Sequence, residues 1–540
     1  MDRKDYDTAI FSIINDTTKF KHLTEDPTQK REGNLQRLLR NLKKKGFMNS
    51  KDYDNMYPSG SQPARIYGTP KMHKFKVSDK IPSLRPIVSS IGTYNYQLAK
   101  FLGGLIAPHL PNDYCVQDSF TFVQDLQKVS AHNKFLVSFD VCSLFTNIPL
   151  EETIDLAVQT IFTNTPNIKI TRVELKQLFM IATSKTHFLY QGSFYDQVDG
   201  VAMGSPLAPI LANLFMGFHE KEWIEQYTGR QSSYYRRYVD DIFAIFDCED
   251  DANNFFTYLN SKHPNIKFTI EREVNNTIAF LDVLLNNTDS KLHTSVYHKK
   301  TYTGLLTNYF SFSSPTYKIG LIRTLIDRTF KINNTWTGFH DDLTKLKENL
   351  KKNQFPSYVI DNHVSRYLNK KLDTNTTNDL PDTVYTRYFK LPYVGPYSQI
   401  AQDKIRCLIK KCCKPIEAKL VFNSFKIRDA FSTKDKIPMF RKSSVIYKFT
   451  CVCKATYIGE TSRRLNTRIA EHLGKDKNSH VFKHLLSSEN CKSHATEDSF
   501  IVLDSAPTNW QRRIKEGLYI LWENPTLNKQ LTHVSVTISV

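Results

Sequence analysis

Twice between Lys134 and Phe246 the chain runs apolar into an acid. Lys134-Phe135-Leu136-Val137-Ser138-Phe139-Asp140 is a short apolar run ending in a carboxylate, the pattern of a buried strand that delivers Asp140 at its carboxyl edge. Arg237-Tyr238-Val239-Asp240-Asp241-Ile242-Phe243-Ala244-Ile245-Phe246 sets aromatic and aliphatic residues on both sides of two adjacent acids. It predicts a hairpin whose turn exposes two carboxylates against strong apolar burial. From Gly200 to Phe218 the chain carries no charge and is nearly long enough for a membrane helix. Gly204, Pro206, Pro209 and Asn213 interrupt it, so it predicts a buried turn and helix instead. Ile322, Leu325, Ile326 and Phe330 recur at helical spacing among Lys318, Arg323, Arg328 and Lys331, an amphipathic helix with a basic face. Leu343, Leu346 and Leu350 predict a further helix. The polar stretch from Asn369 to Thr383, including Asp373 to Asp379, marks the main linker. Near the carboxyl end, Val445-Ile446-Tyr447 and Tyr457-Ile458-Gly459 predict two paired strands, followed by a helix from Arg464 to His472.

The acids change this picture most. Adjacent buried carboxylates repel each other unless a cation neutralises them, and the cation expected here is magnesium. With Asp140 a third carboxylate is available, and a two-metal nucleotidyl transferase requires such a set, because ions about 3.5 to 4 Å apart are held by carboxylates from separate strands. The plain alternative for Asp240-Asp241 is an acidic turn on a half-buried hairpin. Composition agrees with a polyanionic partner: 73 Lys plus Arg stand against 54 Asp plus Glu, a formal charge of +19. At 540 residues, 40% of them apolar, the chain has the length for more than one domain and is not generally disordered. The amino terminus is polar from Met1 to Asp7 and shows no secretory signal, so the nine cysteines are expected to be reduced thiols, some of them in a metal site.

Between the two acidic strands, Gln197-Val198-Asp199-Gly200-Val201-Ala202-Met203-Gly204-Ser205-Pro206-Leu207 resembles the reverse transcriptase motif that packs under the incoming nucleotide and template. Upstream, Tyr67-Gly68-Thr69-Pro70-Lys71-Met72-His73-Lys74 and Leu84-Arg85-Pro86-Ile87-Val88-Ser89 are similar to the two fingers motifs. Downstream, Phe268 to Glu271, Phe280 to Val283 and Tyr297-His298-Lys299-Lys300-Thr301 resemble the later palm and primer-grip motifs, all in the family's order. The wording around Asp140, continuing through Ser143-Leu144-Phe145-Thr146-Asn147-Ile148-Pro149, is closest to Penelope-like retroelements. The resemblance implies that Asp140, Asp240 and Asp241 hold Mg2+ or Mn2+, and that Arg85 and Lys71 contact the triphosphate. It further implies that Gln197 and Gly204 border the nucleotide and that Phe145 screens the sugar 2′ position, favouring deoxynucleotides. Phe145 as plain core is the competing reading.

The last hundred residues carry a second constellation. Tyr447, Tyr457, Arg468, Glu516 and Asn528 occur in an order that resembles the GIY-YIG endonuclease domain in its Penelope-type form, with Val445 where the first motif has its glycine. By that resemblance the tyrosines position or deprotonate the attacking water and Arg468 stabilises the phosphorane. Glu516 holds a single divalent metal, and Asn528 steadies the Glu516 end of the site. Cys451, Cys453, His484 and Cys491 resemble the zinc ligands of such domains, with a tight Cys-X-Cys spacing and with His480 or His494 as substitutes. Cys407, Cys412 and Cys413 are expected to be structural, and the stretch Val384 to Lys442 around them has no assigned chemistry.

The expected fold is α+β multidomain: a right-hand polymerase of fingers, palm and thumb, followed by a small α+β nuclease domain. The expected boundaries are fingers and palm over 1–310, a helical thumb over 311–368, a linker or connector over 369–442 and the nuclease domain over 443–540. The implied activity is RNA-directed DNA polymerisation with DNA nicking, in target-primed reverse transcription. Its partners are an RNA template, a DNA primer or target and dNTPs, with no membrane. A nuclear site, after cytoplasmic synthesis, follows from the DNA substrate. Asp2-Arg3-Lys4-Asp5-Tyr6 resembles the middle of the family's amino-terminal region, so a truncated frame is expected. A decayed or domesticated copy that binds nucleic acid without catalysis stands as the alternative, and a telomerase-like enzyme would share the palm but leave the second constellation unexplained.

Overall fold

The computed structural model describes residues 1–72, 75, 81–131, 133–288, 291–372, 385–412, 416–424, 426 and 434–528. His73 and Lys74 of the first fingers motif, Cys413 and most of the polar linker, from Asp373 to Thr383, lie outside the described residues.

The region expected to form the fingers is built on a five-stranded sheet of β1 (Phe20–Leu23), β2 (Ala64–Pro70), β3 (Leu84–Ser89), β5 (His187–Tyr190) and β6 (Ser193–Gln197), in the order β1-β6-β5-β2-β3. Ile10, Ile14, Ile66, Val88 and Phe188 fill one core on this sheet. A second core joins Leu35, Leu39 and Leu42 of the fingers helix Thr28–Lys44 to Leu98, Leu102, Ile154, Leu175 and Leu211 of neighbouring helices.

The sheet of the expected palm contains β4 (Phe135–Val141), β7 (Tyr234–Tyr238), β8 (Asp241–Phe246) and β9 (Phe268–Arg272), antiparallel in the order β7-β8-β4-β9. Antiparallel sheets commonly leave one face wet and alternate apolar with polar. Here β8 is almost wholly apolar because both faces are covered. Ile242, Ala244 and Phe246 pack with Phe215 and Phe255 on the helical side, while Phe243 and Ile245 pack with Phe122, Phe280 and Val283 on the other. Phe280 and Val283 belong to a small second sheet of β10 (Thr277–Phe280), β11 (Val283–Thr288) and β12 (Lys291–Val296). The charge-free segment becomes a turn and the helix Ala208–Glu225, as its prolines and glycine predict.

Three helices follow, Pro315–Ile332, Trp336–Lys352 and Ser357–Leu372, around Ile322, Ile326, Leu343, Leu350 and Ile360. The connector is more than a linker. β13 (Tyr385–Pro392), the helix Tyr397–Cys412 and β14 (Ile416–Asn423) form a parallel β-α-β unit, and Cys407 and Cys412 are exposed on its helix rather than packed in a core.

The carboxyl-terminal domain has a three-stranded antiparallel sheet, β15 (Val445–Thr450), β16 (Thr456–Thr461) and β17 (Phe500–Ser505), in the order β16-β15-β17. The helix expected over Arg464 to His472 is Leu465–Ala470, continued by a widened turn over Glu471–Lys475. This domain is docked on the fingers. The buried Arg464 pairs with Asp26 at 2.9 Å and donates to the Ser61 carbonyl at 3.0 Å. A Cβ on Gly60 would sit 2.2 Å from the Ser462 carbonyl, and φ of +65° there is a conformation glycine adopts at no steric cost.

Asp26 continues the docking contact into the fingers, accepting from Thr28 Oγ1, which lies 2.7 Å from His187 Nε2. Burial, aided by Arg31, pushes the His187 imidazole down to about 4. A histidine held neutral in the fold contributes stability above its unfolded value near 6.5, and loses it as pH falls through the folded value. Thermal melting of the fingers is therefore expected to weaken progressively from pH 6.5 to pH 4, and His187→Gln should remove part of that acid sensitivity.

Candidate functional site

β4 and β8 pair in register, with Asp140 opposite Asp241. The β7–β8 turn adds Asp240, whose carbonyl accepts from the Val141 backbone amide at 3.0 Å. The palm therefore brings the three predicted carboxylates to one edge of one sheet. Burial, then the charges of Asp240 and Asp140, push Asp241 up to about 6, with Lys299 opposing. Lys299, from the expected primer-grip segment, is thus within electrostatic reach of the acids. A cluster of carboxylates on hard oxygens that resist joint ionisation has the donor chemistry of a divalent-cation site.

A buried ion pair holds the turn in place, and its role was not read from the sequence. Val239, between the tyrosine and the acids, has φ of +58°, a costly conformation for a β-branched residue. Its carbonyl accepts from Arg237 Nη1 at 3.0 Å. Arg237 is fully buried, pairing with Glu220 at 2.9 Å and donating to Asn213 at 3.0 Å, while Tyr235 donates to Glu220 at 2.6 Å. Glu220→Ala would leave a buried guanidinium uncompensated, at a cost of about 3–5 kcal/mol. A marked fall in melting temperature and loss of soluble chain are expected, and a variant melting like the parent would contradict the anchoring role.

The Gln197–Leu207 segment is wedged between palm and fingers. Val201 donates to the Phe145 carbonyl at 2.8 Å, and Met203 accepts from the Val88 amide of β3 at 2.9 Å. Gly204 has φ of +122°, and a Cβ there would lie 2.3 Å from the Val88 carbonyl. Gln197 is buried and donates to the Asp199 carbonyl at 3.1 Å, so it braces this loop. Phe145 is half-buried at the meeting of the helical fingers core and the palm core. Arg85 is exposed on β3 opposite Thr69, and the Lys71 amide donates to the Ser83 carbonyl, so both cations sit on one fingers hairpin.

In the carboxyl-terminal domain the fully buried Tyr447 lies opposite Gly459 on β16. Its hydroxyl accepts from Arg468 Nε at 3.2 Å and lies 2.6 Å from His472 Nε2. His472 Nδ1 is 2.5 Å from Ser479 Oγ. Burial and Arg468 push His472 down to about 3, so the ring is neutral. With Arg468 donating to the phenol oxygen, the arrangement that satisfies every group aims the phenol proton at Nε2 and the Nδ1 proton at Ser479. His472 had no role in the sequence reading; its place four residues after Arg468, on the same helical side, was the available signal.

Burial and neighbouring Glu460 push Glu516 up to about 7, while burial raises both Tyr447 and Tyr457 and the charge of Glu516 adds to it. Glu516 accepts from the Glu460 amide at 3.1 Å. Asn528 exchanges two hydrogen bonds with the Ile458 backbone, each 2.8 Å, and so braces β16 beside Tyr457. Nearby, the ligand atoms of Cys451, Cys453, His484 and Cys491 all lie within 4.8 Å of one another, a set that can hold one tetrahedral ion. His480 and His494 stand outside it, each set against a backbone carbonyl, of Leu527 and Asn490 respectively.

Residues 77–273 match the family model described as reverse transcriptase (RNA-dependent DNA polymerase). Residues 305–365, which include the helices Pro315–Ile332 and Trp336–Lys352 and part of Ser357–Leu372, match that of the animal helix-turn-helix domain. Among solved structures, the chain is similar to telomerase from Candida albicans in complex with a TWJ fragment of telomeric RNA, at 11% identity and a TM-score of 0.37, over 57% of this chain and 63% of that one. It is also similar to apo telomerase from Candida tropicalis, at 12% identity and a TM-score of 0.34, over 58% of each chain. A third is the Sicinivirus 3Dpol RNA dependent RNA polymerase, at 11% identity and a TM-score of 0.36, over 58% of this chain and 71% of that one. The chain thus spans less than two thirds of the length of either telomerase. No curated protein matches. Among the described residues no helix is long and apolar enough to cross a membrane. The family model runs from just before β3 to the end of β9 and encloses Asp140, Asp240 and Asp241, so this part of the chain is a reverse-transcriptase-type domain.

Proposed function

We propose that the chain is the RNA-directed DNA polymerase of a Penelope-like retroelement, with a carboxyl-terminal GIY-YIG endonuclease that nicks DNA to prime its own synthesis. The observation that carries this reading is the presence, on one chain, of the three palm acids and of the Arg468-Tyr447-His472 relay beside Glu516.

In the nuclease domain a water attacks the phosphorus and the P–O3′ bond breaks, leaving a 3′ hydroxyl and a 5′ phosphate. Tyr447 orients that water and takes its proton as the phenol's own proton passes to neutral His472, Arg468 faces the phosphorane charge, and the departing 3′ oxygen takes a proton from solvent. Glu516 would hold a divalent ion. In the palm the 3′ hydroxyl attacks the α-phosphorus of a dNTP and pyrophosphate leaves. Asp140, Asp240 and Asp241 would hold Mg2+ or Mn2+, which when bound lowers the hydroxyl's pKa and neutralises the leaving group. Arg85 and Lys71 bind the triphosphate, with Gln197 and Gly204 fixing the loop beneath it. Phe145 excludes the ribose 2′ hydroxyl. A nuclear site of action goes with the chromosomal substrate.

The test is a supercoiled plasmid supplied with an RNA template and dNTPs. The expected product is cDNA joined covalently to the nicked strand; open circles carrying no cDNA, from a chain that extends supplied primers, would contradict target priming.

The Cys451, Cys453, His484 and Cys491 set takes a structural zinc in this reading. One equivalent of zinc is expected in the purified chain, with Cys491→Ala losing it and lowering the melting temperature of the carboxyl-terminal domain. Metal analysis showing none in a folded chain would remove the assignment.

A further inference from the structure

The fingers helix Thr28–Lys44 buries Leu35, Leu39 and Leu42 and turns a different stripe to solvent. Lys30, Asn34, Arg37, Asn41 and Lys44 recur at i, i+4, i+7, i+11 and i+14, so they lie on one face, and all five are exposed. Among the described residues none of these three cations pairs with a carboxylate, and Arg37 donates instead to Asn34 at 2.5 Å. Glu32, the helix's one acid, is turned away and accepts from the Ser61 amide at 2.7 Å. At 1.5 Å rise per residue the stripe is about 21 Å long, the reach of about six base pairs.

The docking contact fixes where this stripe points. Gln29 Nε2 donates to Thr467 Oγ1 at 3.4 Å, one residue from Lys30 on one side and one from Arg468 on the other. Arg464, at the amino end of the helix that carries Arg468, is held by Asp26 just before the fingers helix begins. A row of cations and amides therefore starts beside the second constellation and leads away from it along the fingers.

We propose that this helix face is a rail for duplex DNA that serves the carboxyl-terminal site, so that the fingers of the polymerase supply part of the nuclease's substrate grip. The inference rests on the nuclease reading given above. Its chemistry is that of backbone contact: three separated cations track phosphates, and the two asparagines donate to phosphate oxygens, without reading sequence. A duplex is favoured over an RNA template because the rail begins at the helix of Arg468, whereas the palm acids lie on a different sheet and edge.

The experiment uses the full chain carrying Glu516→Ala, which binds DNA without cutting it. Affinity for a linear duplex is measured by fluorescence anisotropy over a range of salt, with and without Lys30→Gln, Arg37→Gln and Lys44→Gln together. Each substituted side chain is exposed, so folding should be kept. The log–log salt slope is expected to become shallower by about 2.7. With Glu516 restored, the triple variant should nick with a raised KM and little change in kcat, while its KM for primer and RNA template in extension stays put. An unchanged slope would overturn the rail. So would a rise in the extension KM equal to or larger than that for nicking, which would make the stripe a template track. A parent chain that never nicks would count against the nuclease reading, and the salt slope would still report on the rail.

Discussion

Asp140→Asn is expected to lower RNA-templated primer extension by about a thousandfold, with the fold intact. The substitution is nearly isosteric, and the β4 ladder to β8 and β9 is made by backbone groups that it does not touch. What changes is charge. Asp241 is pushed up to about 6 by burial and by its two acidic neighbours, so removing one of them lets its carboxyl fall back toward the ordinary range. A carboxyl whose folded value is raised is destabilising when ionised at neutral pH, so the variant should melt at the same temperature or slightly higher. Loss of activity with an unchanged or raised melting temperature marks Asp140 as chemistry. Loss of both together would mean that Asp140 is structural, and the plain acidic hairpin would be the better description.

Glu516→Ala is expected to abolish nicking, by about a thousandfold or more, and to leave extension of a supplied primer untouched. Glu516 is half-buried beside Glu460 and both tyrosines, and it is pushed up to about 7, a value that a structural carboxylate gains nothing from. Alanine gives up one hydrogen bond from the Glu460 amide, worth about 1 kcal/mol, and removes an unfavourable, partly desolvated charge. The domain should therefore stay folded and docked. Extension is the second readout, because Glu516 is hydrogen-bonded to β16, whereas Asp140 and Asp241 lie on a separate sheet. Equal loss of nicking and extension would contradict two separable sites.

Much of the palm was legible because its strands obey simple rules. An apolar run that ends in an acid, and a second run interrupted by two, are patterns that only burial of both flanks with exposure of the tip explains, and β4 and β8 realise them. The hairpin of Tyr447 and Tyr457 and the helix after it were legible for the same reason. The Arg237–Glu220 pair was not. The two residues are 17 apart, one on a strand and one on a helix, and nothing local distinguishes a buried ion pair from two solvated charges. The connector was read as linker because β13 and β14 expose Tyr388, Lys390 and Lys419 on an open face, which breaks the continuous apolar run expected of parallel strands. The docking of Arg464 on Asp26 joins positions 438 residues apart, a separation at which only tertiary structure brings charges together. His472 was visible as a letter in a helix, yet its role depends on the neighbouring strand that places Tyr447 against it.

The measurement that bears most directly on the central claim is primer extension by the purified chain on an RNA template, with magnesium or manganese and with dNTPs or NTPs, beside the Asp240→Asn/Asp241→Asn variant. The account predicts RNA-templated DNA synthesis that requires the divalent ion, prefers dNTPs and vanishes in the double variant. A folded chain that binds the RNA yet extends nothing, or that extends as well with Asp240 and Asp241 replaced, would contradict it.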